Sequence, residues 1–273
     1  IPSLLPRRLM SNGIALHSMA RNLDQVLAPS IAGVLLAIDP ALTFLAIVVM
    51  HLFSTVFSMR LPKGAPAQGK GRGMFGEVKF GLRYIAGAPV LRTLVGLAFV
   101  AVILGYPFQQ LLPVFQDVLL ISEWQFGLMY SAVGLGALVG SLLLATFARL
   151  ATRGYPQLLT GVMFGVMLAA FALSPVYALS LFLLFFLGMA SQSYNTMNQT
   201  LMMTHSDPAL YGRVASVNMM TRSFMPLSVL PMGALVDAFG APTTLAVSGT
   251  LLVLVVLLIG AAVPSLWRER APT

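Results

Sequence analysis

The chain has 273 residues, 58% of them hydrophobic and 9% charged, and its mean hydropathy is +0.89. A soluble domain of this length does not need so much apolar surface, so the composition predicts an integral membrane protein. The net charge of +8 is spread over alternate connections rather than gathered in one patch, which argues against nucleic-acid binding. The absence of cysteine excludes disulfides and thiolate chemistry, and no catalytic, metal-binding or ATP-binding motif occurs. We therefore expect neither enzyme activity nor a cofactor.

Eight apolar segments predict an all-α, polytopic membrane protein. The predicted helices are residues 12–38, 41–60, 90–113, 124–149, 156–173, 177–203, 210–238 and 242–263. Lys and Arg lie at the amino terminus, in every second connection and in the carboxyl tail. The opposite connections contain no basic residue and carry Asp39, Asp117, Glu123 and Asp237. This alternation follows the positive-inside rule and predicts a multi-pass protein of the inner (plasma) membrane with both termini in the cytoplasm.

The first predicted helix carries three ionisable side chains on one face, because His17, Arg21 and Asp24 are spaced i, i+4 and i+7. An ionised side chain is costly in hydrocarbon, so such residues usually face a protein or water-filled interior. One interpretation makes Asp24 a proton carrier with Arg21 as its partner. The alternative is a buried Arg21–Asp24 ion pair that only locks helix packing.

A basic connection separates the second and third predicted helices. Its first part, residues 61–73, is rich in Gly, Pro and Lys and predicts a flexible linker. The following segment, 75–85, predicts an interfacial helix on the cytoplasmic surface, because its apolar side chains share one helical face: Phe75, Val78, Leu82 and Ile85. The alternative is an extension of the third predicted helix.

Polar side chains inside the third and sixth predicted helices mark a candidate cavity. Tyr106 and Gln109 lie in the third helix beside Pro107, whose missing N–H loosens the helix. Asn195 and Asn198 share a face of the sixth helix. These side chains suit a water-filled cavity, and hydrogen bonds between helices are the alternative. In the fourth helix, a small-residue face predicts close helix packing: Ala132, Gly136 and Gly140.

The seventh predicted helix contains Arg222, the second basic residue to fall inside a predicted span. We predict that Arg222 holds an anionic or carbonyl group of a substrate and that Asn218, one turn earlier, lines the same cavity. Met219 is predicted to add an adaptable apolar surface for varied substrates. The alternative assigns Arg222 to helix packing alone.

Residues 13–52 repeat weakly at an offset of 200, most clearly where 33–46 align with 233–246. The first two helices therefore correspond to the last two, which predicts a repeating unit of six helices. We accordingly expect three parts: the last two helices of an amino-terminal bundle (1–62), a cytoplasmic linker with the interfacial helix (63–89) and a carboxyl-terminal six-helix bundle (90–273). The same count predicts four further helices upstream of Ile1.

Three stretches carry a family resemblance: residues 6–33, 77–85 and 207–216. With them the chain resembles helices five to twelve of the major facilitator superfamily, in its enterobactin-exporter-like and macrolide-efflux-like branch. The resemblance implies two six-helix bundles that rock about a cavity at the bilayer midplane. Pro29 and Gly33 match the family's helix-five motif, which implies a conformational hinge there, whereas Asp24 departs from that motif.

The resemblance and the intramembrane polar residues together predict a secondary active transporter. It would export small amphipathic solutes, drug-like or siderophore-like, by alternating access with protons as the coupling ion. Its partners would be the small-molecule substrate, the lipid bilayer and protons. Passive or uptake transport by the same fold is one alternative, and a membrane scaffold without transport activity is another.

Overall fold

The computed structural model describes residues 31, 35, 39–60, 83–147, 154–207 and 210–263. Only Ile31 and Leu35 of the first predicted helix fall among them, and both are helical. Seven helices of the described residues are long and apolar enough to cross a membrane: Ala41–Met59, Pro89–Leu111, Glu123–Leu144, Gly154–Ala172, Tyr177–Thr204, Ser216–Phe239 and Ala241–Ala262. They correspond to the second through eighth predicted helices, which confirms an all-α, multi-pass membrane protein.

We number the helices in chain order by their hydrogen-bonded segments. They are α1 (Pro40–Met59), α2 (Pro89–Val100), a π-helical turn (Ala101–Gly105), α3 (Phe108–Leu111), α4 (Val114–Val118), α5 (Glu123–Thr146), α6 (Gly154–Ala172), α7 (Tyr177–Thr204), α8 (Tyr211–Ser223), α9 (Met225–Phe239) and α10 (Ala241–Ala262). A further helical segment, 83–87, precedes α2.

Two of the predicted helices are not continuous. The third prediction, 90–113, is interrupted by the π-helical turn and by Pro107, which has no N–H to donate to the preceding turn. The seventh prediction, 210–238, is broken at Phe224, and Pro226 occupies the first turn of α9, where a missing N–H costs no hydrogen bond. Met225 therefore begins a new helix instead of extending the helix that carries Arg222.

The two helices related by the sequence repeat, α1 and α10, begin at nearly equivalent positions. At the start of α1 the Asp39 carboxylate accepts a hydrogen bond from the Ala41 N–H at 2.8 Å, and Pro40 lies in the first turn. The start of α10 follows Gly240, whose φ of +80° is a left-handed value that glycine adopts without a Cβ clash. The two helices therefore start at corresponding positions, although the residues and hydrogen bonds that begin them differ.

Glycines bring the helix axes close together in two pairs. A Cβ on Gly136 of α5 would overlap the Phe185 carbonyl oxygen of α7, and one on Gly188 would overlap the Val133 carbonyl oxygen. In α6 and α10, a Cβ on Gly165 or on its partner Gly249 would lie 2.6 Å from the other's carbonyl oxygen. Because lipid is as apolar as a side chain, such close backbone packing supplies much of the attraction between membrane helices. The predicted small-residue face of the fourth helix is confirmed at Gly136.

The described helices do not all share this packing. Helices α2 to α7, with α9 and α10, surround one cluster of buried side chains, which includes Phe108, Phe164, Phe171 and Tyr194. In α1, by contrast, none of the residues of the span is buried. The core that positions polar side chains therefore lies within residues 89–262. The three-part division of the chain remains a prediction.

The segment 83–87 docks onto the bundle. Ile85 is buried against Leu91 of α2 and Val217 of α8, and the Tyr84 hydroxyl accepts a hydrogen bond from the Asp207 N–H at 3.2 Å. Arg83 is exposed beside them. We call this end of the bundle, where α2 begins and α7 ends, the basic end. The last residues of the predicted interfacial helix are therefore helical and docked, while residues 75–82 lie outside the described part.

Candidate functional site

A small polar cleft opens between α2, α7 and α8. Its lining combines short apolar side chains with amides, two phenols and one guanidinium: Ala98, Ala101, Val102, Tyr106, Tyr194, Asn195, Asn198, Asn218, Thr221 and Arg222. The cavity volume is ≈ 10 Å³, which is room for about one water molecule. In this conformation the cleft can admit a head group but cannot enclose a whole solute.

Arg222 supplies the positive charge of the cleft. Its Nη2 donates a hydrogen bond to the Asn195 Oδ1 at 2.6 Å, and the Gln199 Nε2 donates to the same oxygen at 3.1 Å. Two donors on one oxygen hold the Asn195 amide with its oxygen towards Arg222. Within the part of the chain that the structure describes, no carboxylate lines the cleft. The guanidinium charge is therefore oriented there by a neutral amide.

Asn198 and Tyr194 join the wall of α7 to the backbone of α2. The Asn198 Nδ2 donates to the Leu94 carbonyl at 3.0 Å, and the Tyr194 hydroxyl donates to the Leu97 carbonyl at 2.8 Å. For Asn198 the hydrogen bond between helices that the sequence left open is present, and Tyr194 adds a second one. The Asn198 Oδ1 is nevertheless buried without a hydrogen-bond partner among the described residues. Asn198 thus combines a packing contact with an unused acceptor at the cleft.

The π-helical turn decides where Tyr106 points. Its extra residue turns every following side chain by about 100° around the helix axis. In that position the Tyr106 hydroxyl donates to the Ser191 carbonyl at 3.3 Å, and its ring packs against Phe164 with a centroid distance of 5.4 Å. The turn also leaves the Val102 carbonyl free for a contact with the Ser228 Oγ of α9 at 3.2 Å. Helices α2, α7 and α9 are thereby connected around Tyr106.

Most of the predicted substrate-binding residues line the cleft, and two do not. Those that line the cleft together are Tyr106, Asn195, Asn198, Asn218 and Arg222. Gln109 and Met219 are not among the lining residues. The break at Pro107 places Gln109 beside Tyr130, whose hydroxyl donates to its backbone carbonyl. Met219 is 73% exposed on another face of α8.

Other predicted residues lie outside the described residues: His17, Arg21, Asp24, Pro29 and Gly33. Their proposed roles as proton carrier, partner and hinge stay predictions. Three polar residues at or beside the cleft were not among the predicted ones: Tyr194, Thr221 and Gln199. The signal for the first two was helical spacing, since Tyr194 precedes Asn198 by four positions and Thr221 follows Asn218 by three.

Among the described residues, no group of three or more His, Asp or Glu side chains lies close enough together to hold a metal ion. The donors at the cleft are instead a guanidinium, amides and phenols. Such groups bind anionic and carbonyl oxygens by hydrogen bonds. The chemistry available at the cleft is therefore recognition of an oxygen-bearing group.

Comparison with known proteins agrees with this fold. The family model described as Major Facilitator Superfamily matches residues 1–228. The staphyloferrin A transporter of Staphylococcus aureus (strain NCTC 8325 / PS 47) is 22% identical over 251 residues, which cover 91% of this chain and 63% of that protein. The enterobactin exporter of Shigella flexneri is 24% identical over 213 residues, covering 78% of this chain and 50% of that protein.

The enterobactin exporter of Escherichia coli O81 (strain ED1a) is likewise 24% identical, over 216 residues that cover 78% of this chain and 51% of that protein. The chain thus spans between half and two thirds of the length of these curated relatives. The family model extends over most of the chain, and the described residues form apolar helices of membrane-spanning length. The chain belongs to the Major Facilitator Superfamily.

Proposed function

We propose that this chain is part of a secondary transporter that exports small amphipathic solutes, drug-like or siderophore-like, with an anionic or carbonyl group held by Arg222. One observation carries the proposal. A guanidinium lies inside an apolar span and donates to the neutral oxygen of Asn195. An anionic substrate oxygen would stabilise this cation more than the neutral amide oxygen does, because it adds a charge–charge attraction that is stronger in an apolar environment than in water.

The surroundings of Arg222 favour an amphipathic solute. Phe99 of α2 and Phe224 stand edge to face with ring centroids 5.7 Å apart, and both remain partly exposed. Met220 on α8 is partly exposed as well. These exposed aromatic and methionine side chains on the two helices offer an apolar surface to such a solute, and methionine adapts to varied shapes.

The names of the relatives support transport and its direction. Two are named enterobactin exporters and one is named a staphyloferrin A transporter. By analogy we propose outward movement across the inner membrane by alternating access, with transport rather than covalent chemistry as the activity. Asp24 remains the proposed proton carrier, with Arg21 as its partner and Pro29 and Gly33 at the hinge.

Substitution of Arg222 tests the site. Arg222→Ala in the complete protein should lower the affinity for an anionic amphipathic probe, such as octanoate, by at least about tenfold, which corresponds to about 1.4 kcal/mol. Its melting temperature in detergent should change little, because Arg222 is exposed and makes one described hydrogen bond. The matched control is Arg92→Ala, which removes an exposed charge at the basic end. Unchanged octanoate binding with a lower melting temperature would assign Arg222 to packing.

A transport assay tests direction and coupling. In proteoliposomes of known orientation, we expect outward movement of the substrate that stops when an uncoupler collapses the proton gradient. Asp24→Asn should abolish the pH dependence of export while membrane insertion stays intact. Transport that ignores the uncoupler would favour the passive alternative, and inward accumulation would favour uptake.

A further inference from the structure

We propose that Asn198 determines substrate specificity at the cleft. It would select anions that also carry a hydroxyl or N–H donor beside the negatively charged oxygen. The anion's oxygen would bind Arg222, and its donor would bind the Asn198 Oδ1. This inference rests on the proposed function, because it assumes that Arg222 binds the anionic group.

The orientation of the Asn198 amide is the first step. Its Nδ2 donates to the Leu94 carbonyl, and a carbonyl oxygen can only accept. The amide therefore cannot turn over without losing this bond, so Asn198 offers the cleft an oxygen and not an NH2 group. A substrate that carries acceptors alone gains nothing from that oxygen.

The second step concerns the unused acceptor. Asn198 is 3% exposed, and its Oδ1 has no hydrogen-bond partner among the described residues. Leaving a buried acceptor unpaired is unfavourable, so a ligand that supplies a donor removes a penalty already present in the ligand-free protein. A ligand without a donor would bury the oxygen more deeply and keep the penalty.

The third step is the position of this acceptor beside the cation. Asn198 and Arg222 line the same cleft, whose volume of ≈ 10 Å³ fits about one small polar group. A group that bridges Asn198 of α7 and Arg222 of α8 in so small a space needs its two binding atoms close together. Donor and acceptor must therefore lie on neighbouring atoms of the substrate, as in a 2-hydroxy acid or an N-acyl amino acid.

A buried glutamine offers a competing partner. Gln157 of α6 is 1% exposed, and neither of its amide atoms has a partner among the described residues. Thr160, one turn further along α6, donates to the Met197 Sδ at 3.8 Å, which places Gln157 near the level of Asn198. A side-chain rotation that brought the Gln157 Nε2 to the Asn198 Oδ1 would use up the acceptor. The test must separate this pairing from substrate selection.

The experiment compares two probes that differ by one donor. Binding of 2-hydroxyoctanoate and 2-methoxyoctanoate to the complete purified protein is measured by titration calorimetry in detergent. We expect the hydroxy acid to bind wild type about tenfold tighter, and Asn198→Leu to reduce that ratio to about one. The matched control is Gln157→Leu, which removes a buried amide at the same level and should leave the ratio unchanged.

Each result has a defined meaning. Equal affinities of the two probes for wild type would overturn the role of Asn198 while leaving anion binding at Arg222 intact. A preference for the hydroxy acid that appears only in Gln157→Leu would assign the Asn198 oxygen to Gln157, and a ratio that falls equally in Gln157→Leu and Asn198→Leu would show that the preference is not specific to Asn198; either result would overturn the inference. Binding that Arg222→Gln does not weaken would instead refute the proposed function itself. Because the two probes are compared first on wild type, the need for a donor is decided even if Asn198→Leu does not fold, and Asn198→Ser then replaces it.

Discussion

At the scale of single residues, the cleft is defined by which polar atoms are already paired. The Asn195 Oδ1 accepts from both Arg222 and Gln199, and the Asn198 Nδ2 is held by a backbone carbonyl. These bonds leave further N–H groups of the guanidinium available, since one hydrogen bond among its five donors is described. The orientation of a polar side chain at the cleft is thus fixed by its hydrogen-bond partners as well as by its residue type.

A carboxylate introduced beside Arg222 should prevent an anionic ligand from binding to the guanidinium. In Asn195→Asp the new carboxylate would pair with Arg222 at the position of the present 2.6 Å hydrogen bond. We expect the affinity for octanoate to fall at least about tenfold, or about 1.4 kcal/mol, and the melting temperature to rise. The measurements are calorimetric titration and thermal unfolding in detergent.

The control for this prediction is Gln192→Glu, which adds a carboxylate to the same helix at a residue outside the cleft lining. It should leave octanoate binding near the wild-type value. Full octanoate affinity in Asn195→Asp would contradict anion binding by Arg222.

At the scale of helices, close approach of backbones holds the bundle together. In Gly136→Ala the new Cβ would overlap the Phe185 carbonyl oxygen and lie 2.9 Å from the Met189 nitrogen. Backbone atoms cannot move aside as the end of a side chain can, so we expect destabilisation of about 1–3 kcal/mol. A lower thermal unfolding midpoint in detergent would report it.

Gly96→Ala is the matched control for this prediction, because a Cβ at Gly96 would meet no atom within 4 Å. Alanine also favours a helix over glycine by about 0.5–1 kcal/mol, so this variant should be at least as stable as wild type. Equal unfolding midpoints for the two alanine variants would contradict the close packing of α5 on α7.

The Val102 carbonyl of the π-helical turn has no backbone donor from Pro107 and is contacted by Ser228 of α9. Pro107 has no N–H, and the Val102 carbonyl five residues earlier is contacted by the Ser228 Oγ at 3.2 Å. The same hydroxyl lies 2.7 Å from the Met225 carbonyl of its own helix. The hydroxyl can therefore leave Val102 and keep a partner, which makes the contact easy to break during movement.

A double-mutant cycle tests this contact. Ser228→Ala should destabilise wild type by about 0.5–1.5 kcal/mol, because the Val102 carbonyl loses its donor. In a Pro107→Ala background the cost should be smaller, since the new N–H at position 107 can donate to that carbonyl. Chemical unfolding of the four proteins gives the coupling. Additive effects would show that Ser228 and Pro107 act independently.

At the scale of the whole molecule, the charges divide the bundle into two ends. Arg83 and Arg92 lie at the basic end, whereas Asp117 in the short helix α4 and Asp237 in the last turn of α9 lie at the opposite end. Since α2 and α5 run in opposite directions between these ends, one orientation in the membrane satisfies the positive-inside rule for every described connection. The proposed orientation puts the basic end in the cytoplasm.

These 273 residues contain no cysteine, so a cysteine introduced here is the single maleimide target in this part of the protein. We expect a membrane-impermeant maleimide to label Asp117→Cys in intact spheroplasts and Arg60→Cys only after permeabilisation. Arg60 and Asp117 are both exposed, so reactivity reports access from each side. The reverse pattern of labelling would contradict the orientation.

The sequence by itself determined the number, order and approximate limits of the described spans. A span needs about 20 apolar residues in one stretch, so its signal is local and can be read from composition. The 200-residue offset likewise predicted that α1 and α10 start at matching positions. Sequence also identified Arg222 as exceptional, because a charge within an apolar run stands out whatever the fold.

Only the tertiary structure decided which polar residues meet. Tyr106, Asn195 and Arg222 lie far apart along the chain, and their meeting depends on how three helices pack and rotate. The π-helical turn re-aims Tyr106, and Gln109, which follows Pro107, does not line the cleft, a difference that depends on the helix register across the turn. Whether an amide such as Asn198 packs helices or faces a solute depends on which of its polar atoms are hydrogen-bonded within the folded protein. That choice is made by atoms from distant parts of the sequence, which is why it required the folded molecule.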